Sequence, residues 1–213
     1  RMDDHEIESA FHAADALSSA GNNDGAIARI LEVLKHHPED AHALALLAIF
    51  QLRSNRADEA VKAGKQAVAS DPEYDFAHRA LGWAFQLKGD HARAEAHFRD
   101  AIRIRPDGAY NHYGCGLLMM ARNRRKEAAE SLQRALALDP ENAVFLGAYA
   151  ELCLSEGRVD QASDLTDRAL ELDPDDTGAL LSRAEVDLRR GQLDQARDCV
   201  LWVLRHDASN GRA

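Results

Sequence analysis

The five prolines of this 213-residue chain, Pro38, Pro72, Pro106, Pro140 and Pro174, follow one another at a constant interval of 34 residues. A fixed period of that length marks tandem structural repeats, and it constrains the fold before any local motif is considered. The prolines set a register that divides the chain, without insertions, into six units: 7–40, 41–74, 75–108, 109–142, 143–176 and 177–210. Position 20 of each unit is alanine: Ala26, Ala60, Ala94, Ala128, Ala162 and Ala196. Position 8 is always small: Ala14, Ala48, Gly82, Gly116, Ala150 and Ala184.

Position 15 holds Gly21, Asn55, Gly89, Asn123, Gly157 and Gly191. Glycine and asparagine best tolerate the left-handed backbone conformation that ends a helix, so each unit is predicted to contain two helices joined there. Asp24, Asp58, Asp160 and Asp194 follow three residues later, where a carboxylate caps or electrostatically favours the next helix start. Proline at position 32 stops that second helix. Small residues at positions 8 and 20 let two antiparallel helices approach closely. Position 27 (Val33, Ala67, Ala101, Ala135, Ala169, Val203) and position 28 (Leu34, Val68, Ile102, Leu136, Leu170, Leu204) are expected to fill the remaining core. Gly64 falls in mid-helix, at a cost of about 1 kcal/mol relative to alanine, and is expected to soften unit 2.

With small-8, Ala-20 and Pro-32 repeated in fixed register over 204 positions, the sequence resembles the tetratricopeptide repeat family. That resemblance implies an all-α, right-handed superhelical solenoid of antiparallel helix pairs whose first helices line a concave groove. The expected organisation is an N-terminal extension over 1–6, one repeat domain over 7–210, and the start of a truncated seventh helix at 211–213. The resemblance also implies that positions 2, 5, 9, 12 and 13 of each first helix face the groove. Among them, Ile49, Leu52 and Arg53 come from unit 2. Phe76, Arg79, Trp83 and Gln86 come from unit 3, and Tyr110, Tyr113, Leu117 and Met120 from unit 4. Aromatic residues are 6% of the chain, so four of them on neighbouring groove positions form an apolar patch fit for a partner. The outer units are more polar there, with Glu8 and Asp15 at one end and Glu151, Ser155, Glu185 and Arg189 at the other. The competing reading is that the rings pack on one another between successive helices.

Two specialised grooves of the family are absent. The chaperone adaptors' carboxylate clamp resembles lysine at position 5 with asparagine at position 9, but position 5 reads Phe11, Ala45, Arg79, Tyr113, Gly147 and Leu181. Position 9 is never asparagine. The asparagine ladder of O-linked N-acetylglucosamine transferase needs asparagine at position 6, where this chain has His12, Leu46, Ala80, Gly114, Ala148 and Ser182. Recognition through side-chain contact is the expected mode.

Other function classes are disfavoured. A chain that is 46% hydrophobic is not intrinsically disordered. Its net charge of −10 argues against nucleic acid and anionic membranes. The basic run Arg122, Arg124, Arg125 and Lys126 is answered by Glu127 and Glu130 and lacks interleaved aromatics. No apolar run reaches the roughly 18 to 20 residues of a membrane span, so no direct membrane contact is expected in this segment. No phosphate-binding glycine loop, His-Glu-x-x-His pair or nucleophile elbow is present, so neither catalysis nor a cofactor is expected. Cys115 and Cys153 occupy inward positions and, with Cys199, are expected as reduced thiols. The acidic start, Met2-Asp3-Asp4-His5-Glu6, shows no export signal, and a cytoplasmic location is expected. His78 and His112 share position 4 of units 3 and 4, but no cysteine or carboxylate falls on their stripe, so no metal is expected.

The final second helix carries Leu201 and Trp202 where other units place polar residues, within an apolar run from Val200 to Leu204. Such a face is expected to be covered, by continuation of the chain or by self-association. The main functional expectation is a protein-interaction scaffold that holds a protein or peptide segment in its groove. The alternatives are a regulatory or substrate-presenting module of a longer enzyme or membrane-linked protein, and a self-assembling structural protein.

Overall fold

A computed structural model describes residues 2–206. Among these residues the chain forms twelve helices and no strand: α1 (Asp4–Ser19), α2 (Asn23–His36), α3 (Ala41–Arg53), α4 (Ala57–Ser70), α5 (Asp75–Leu87), α6 (His91–Ile104), α7 (Ala109–Ala121), α8 (Arg125–Leu138), α9 (Ala143–Ser155), α10 (Val159–Leu172), α11 (Thr177–Arg189) and α12 (Leu193–His206). α1 begins inside the stretch read as an extension. Asp3 and Glu6 close a reciprocal capping box around its start, with bonds of 2.8 and 2.9 Å. The segment 211–213, expected to start a seventh helix, lies outside the described residues.

Each predicted boundary has a visible cause. All six residues at position 15 adopt positive φ, from 56° at Asn123 to 80° at Gly21. Each second helix that precedes a proline ends two residues before it. The residue in between turns extended, as at Asp71 (φ −142°, ψ 97°) and Asp173 (φ −139°, ψ 95°), because a proline ring excludes helical geometry from its predecessor. Asp40, Asn142 and Asp176 cap the next first helices through their side chains. Asp24, Asp58 and Asp160 sit in the first turns of their helices and reach sideways to Arg56, Lys88 and Arg190 of the following pair. These contacts are exposed and contribute at most about 1 kcal/mol each.

The chain divides into two compact units, Arg1–Leu118 and Met119–Ala213. In the first, α1 packs with α2, α3 with α4 and α5 with α6, while α3 also packs on α5. In the second, α9 packs with α10, α11 with α12, and α9 also packs on α11. Alanines or glycines at positions 8 and 20 are buried in every pair, as expected. Position 27 is likewise buried throughout.

Position 28 is different. Its residues are only half-buried in the first five repeats, and Leu204 is exposed. The large side chains of the core come instead from position 24, where Ile30, Phe98 and Leu132 are fully buried, joined by first-helix residues such as Phe50 and Leu152. With 3.6 residues per turn, positions 20, 24 and 27 form one narrow stripe, and position 28 falls at its edge.

Phe98 shows why glycine recurs in the first compact unit. A methyl group at Gly82 would lie 3.0 Å from its ring, and one at Gly114 only 2.5 Å away. Two first helices thus close over one large ring because neither carries a side chain at the contact. Gly64 belongs to the same class: a methyl there would meet the Leu81 backbone Cα at 3.1 Å. The glycine expected to be a soft point thus also lies at a close approach of two helices.

Candidate functional site

The first helices of the N-terminal unit, α1, α3, α5 and the start of α7, carry a cleft of about 610 Å³. Its walls include Ile49, Leu52, Arg53, Phe76, Arg79, Trp83, Gln86, Tyr110 and Tyr113, nine of the eleven residues expected on the groove. Leu117 and Met120 are half-buried on α7 and are not among the wall residues. Asp15 and Leu87 join from other groove positions, and Leu46 and Phe50 form the floor. The floor residues occupy positions 6 and 10, one step inward from the stripe read from sequence.

The rings are in contact with one another as well as with the cleft. Phe11 meets His42 edge-on at 4.8 Å between ring centres, and His42 lies 5.7 Å from Phe76. Tyr110 and Tyr113 are edge-to-face at 6.2 Å, and Trp83 lies 6.1 Å from Tyr113 and 5.1 Å from the buried Phe98. The packing reading therefore holds for the ring edges, while exposed area remains: Tyr110 is 46% exposed. Ring-on-ring packing restricts the rotamers open to these side chains, which lowers the entropy lost when a ligand binds.

The two arginines are held differently. Arg53 donates to Ser18 Oγ at 2.6 Å and reaches over the Phe50 ring. Arg79 lies over Phe76 at 4.8 Å and over Tyr110 at 5.6 Å. Burial lowers the pKa of Arg79, opposed by the carboxylate of Asp75, yet a guanidinium keeps its charge in proteins. A cation sandwiched between rings is thus anchored at the centre of the cleft.

Beneath it runs a polar network that sequence reasoning does not reveal. Asn111 is fully buried. Its Oδ1 accepts from Arg79 at 3.2 Å, while Nδ2 donates to Asp75 Oδ2 at 2.9 Å and to the carbonyls of Ala101 and Arg105 at 3.1 and 3.3 Å. It therefore serves two carbonyls at the end of α6 and orients the groove arginine. One signal exists: position 3 is otherwise Ser9, Ala43, Ala77, Phe145 and Ala179, so a buried-side asparagine stands out.

His42 extends the cleft edge and accepts or donates through Nδ1 to the Tyr74 hydroxyl at 2.7 Å. Burial lowers its pKa from the ordinary 6.5, against Asp40 and Asp15, which pull it up. A depressed histidine pKa favours the neutral ring in the fold. The stability this group contributes is complete above pH 6.5 and is lost as pH falls through the lower folded value. We expect the melting temperature to fall between about pH 7 and 5, and the fall to be shallower in His42→Gln. Equal pH profiles for the two proteins would exclude His42 as a source.

The C-terminal edge lies in the second compact unit. Leu201 and Leu204 on α12 are exposed, Trp202 is half-buried and stacked on His206 at 4.2 Å, and Val203 is buried. The outer groove positions there are polar, as expected, with Arg189 paired to Glu185 at 2.5 Å. Cys153 is buried, and burial raises its thiol pKa; Cys115 and Cys199 are half-buried. Among the described residues no helix is long and apolar enough to cross a membrane.

Sequence profiles described as tetratricopeptide repeat match residues 11–75, 53–109, 119–179 and 177–201. The chain belongs to the tetratricopeptide repeat family. A thermophilic tetratricopeptide repeat protein of Thermus thermophilus is similar over 92% of this chain and 99% of its own, with 29% identity and a TM-score of 0.75. PilF of Pseudomonas aeruginosa is similar over 98% of this chain and 95% of its own, at 18% identity and a TM-score of 0.70. YrrB, described as a tetratricopeptide repeat protein with an unusual peptide-binding site, is 18% identical over 86% of this chain and 94% of its own, with a TM-score of 0.55. No curated protein sequence matches the chain. The tetratricopeptide repeat fold supports, in general terms, a protein-interaction scaffold.

Proposed function

We propose that this tetratricopeptide repeat protein is a scaffold whose N-terminal cleft takes up an extended or helical segment of a partner protein. The observation that carries the reading is the concentration of Phe76, Arg79, Trp83, Tyr110 and Tyr113 on one concave surface. Aromatic and arginine side chains dominate binding energy when they sit in preformed pockets. The cleft volume of about 610 Å³ lies within the range of ligand-binding pockets. The partner contributes apolar side chains to the floor over Leu46 and Phe50, and acceptor groups toward Arg53 and Arg79. The peptide-binding site named for YrrB accords with this use of the fold.

The chain has two tryptophans, Trp83 and Trp202, so Trp202→Phe leaves a single reporter in the cleft. Peptides selected from a random displayed library against the full chain are expected to shield Trp83 from acrylamide quenching and to shift its emission. Saturable peptide binding with no change at Trp83 contradicts the proposal. A second reading, self-association through α12, is favoured by exposed Leu193, Leu201 and Leu204. It requires a molar mass that rises with concentration and returns to the monomer value in Leu201→Asp; a constant mass in the unmodified protein contradicts it.

A further inference from the structure

On α5 and α6 of the N-terminal unit, three potential metal ligands converge that have no part in the cleft. His78 is on α5, while His97 and Asp100, three residues apart and so on one face, are on α6. His78 Nδ1 lies 3.2 Å from His97 Nδ1 and 3.8 Å from Asp100 Oδ2, and the three ligand atoms all lie within 4.8 Å of one another. We propose that His78, His97 and Asp100 bind a divalent transition-metal ion of the zinc class, joining α5 to α6.

Geometry and tautomer chemistry both fit. Tetrahedral zinc with Zn–N bonds of about 2.0 to 2.1 Å places two nitrogen ligands roughly 3.3 Å apart, close to the separation of the two Nδ1 atoms. The carboxylate needs to move in by about 0.5 Å toward His78 and by up to about 1.5 Å toward His97, a shift open to a half-buried aspartate that changes rotamer. The Nε2–H of His78 donates to the Pro72 carbonyl at 3.0 Å, which leaves the Nδ1 lone pair directed at the site. A backbone carbonyl holding the distal ring nitrogen is the usual support of a metal-bound histidine. The His97 ring is held by stacking on Phe85 at 5.6 Å and 6°. Because His78 Nδ1 is the acceptor, His97 donates from Nδ1 in the absence of metal. Binding moves that proton to His97 Nε2, so both rings stay neutral and no net proton is released. His78 is buried, whereas His97 and Asp100 are half-buried, so the fourth position is open to water. Two cations oppose the ion: Lys65 near His97, and Arg103, whose Nε is 3.8 Å from Asp100. The single carboxylate and these neighbours point to zinc or cobalt, which nitrogen ligands favour, rather than to calcium or magnesium.

The test is calorimetric titration of the full chain with zinc chloride at pH 7.5 in a non-coordinating buffer, with cobalt(II) absorption as a second readout. The expected result is one zinc per chain at this site, a higher melting temperature with zinc, and a tetrahedral cobalt spectrum. His97→Ala is expected to abolish all three, and Asp100→Asn to weaken affinity at least tenfold. His36→Ala, at an exposed histidine of α2, is expected to change none of them. Helical content by circular dichroism establishes that each variant is folded, and Asp100→Asn, at a half-buried position, carries the test if His97→Ala is not. No saturable zinc binding by the unmodified chain overturns the proposal. So does zinc binding that survives unchanged in folded His97→Ala or Asp100→Asn.

Discussion

Asn111→Ala is expected to destabilise the N-terminal unit by about 3 kcal/mol. The substitution removes no large apolar surface; its cost comes from groups left behind. The carbonyls of Ala101 and Arg105 lose a second donor but keep the backbone N–H groups of Arg105 and Gly108 at 2.9 and 3.1 Å, so the larger cost falls on Asp75. Asp75, itself buried, loses its 2.9 Å hydrogen bond and is left with the charges of Arg105, at 3.9 Å, and of Arg79. Leaving a buried polar group unsatisfied costs about 1 to 3 kcal/mol, more when it is charged. Asn111→Asp is expected to cost more still, because it sets a second carboxylate against Asp75 and two carbonyl oxygens. Since the chain has two compact units, the measurement is urea unfolding followed by Trp83 fluorescence in a Trp202→Phe background, which reports on the first unit. A loss under about 0.5 kcal/mol would mean that water substitutes for the amide and that the network is not structural.

Trp83→Ala is expected to weaken binding of a cleft-directed peptide by about 2 kcal/mol, roughly 30-fold. Trp83 is half-buried and touches both the core, through Phe98, and the cleft, through Tyr113. Truncation therefore lowers stability as well, and affinity must be measured where the variant remains folded. Trp83→Phe keeps an edge against Phe98 and is expected to recover stability but only part of the affinity. Tyr110→Ala supplies the cleaner comparison, because Tyr110 is the more exposed ring and its loss removes contact area with little core. A variant that melts early yet binds normally when folded would assign these rings to packing.

The helices are legible from sequence because their ends depend on local chemistry. Glycine or asparagine at position 15 and proline at position 32 act within a few residues of the chain, and every one acts where expected. Small residues at positions 8 and 20 report a contact that recurs identically in each repeat, so six copies reinforce one inference. Groove residues are largely legible for the same reason, once a stripe of the first helix is chosen. Less is visible where a feature occurs once. Asn111 bonds to α6 and to Asp75 across a repeat boundary, and no periodic argument joins residues that differ from their counterparts in other repeats. His97 and Asp100 meet His78 from the paired helix, so searching along the first-helix stripe leads to His112. In the structure His112 instead donates from Nε2 to the Pro106 carbonyl, at 2.8 Å. The glycines around Phe98 read as small residues in sequence, whereas their significance lies in the one large ring they accommodate. Position 28 is misplaced by residue type alone, because its angle around the helix, rather than its apolar character, sets it at the edge of the buried stripe.

The most direct test of the central claim is a backbone amide chemical-shift map of the full chain titrated with a selected peptide. The cleft account predicts that the perturbed amides cluster on α1, α3 and α5 around Ile49, Phe76, Arg79 and Trp83, and that α2, α4 and α6 change little. A binding peptide whose perturbations fall on α2, α4 and α6, or on α12, would contradict it.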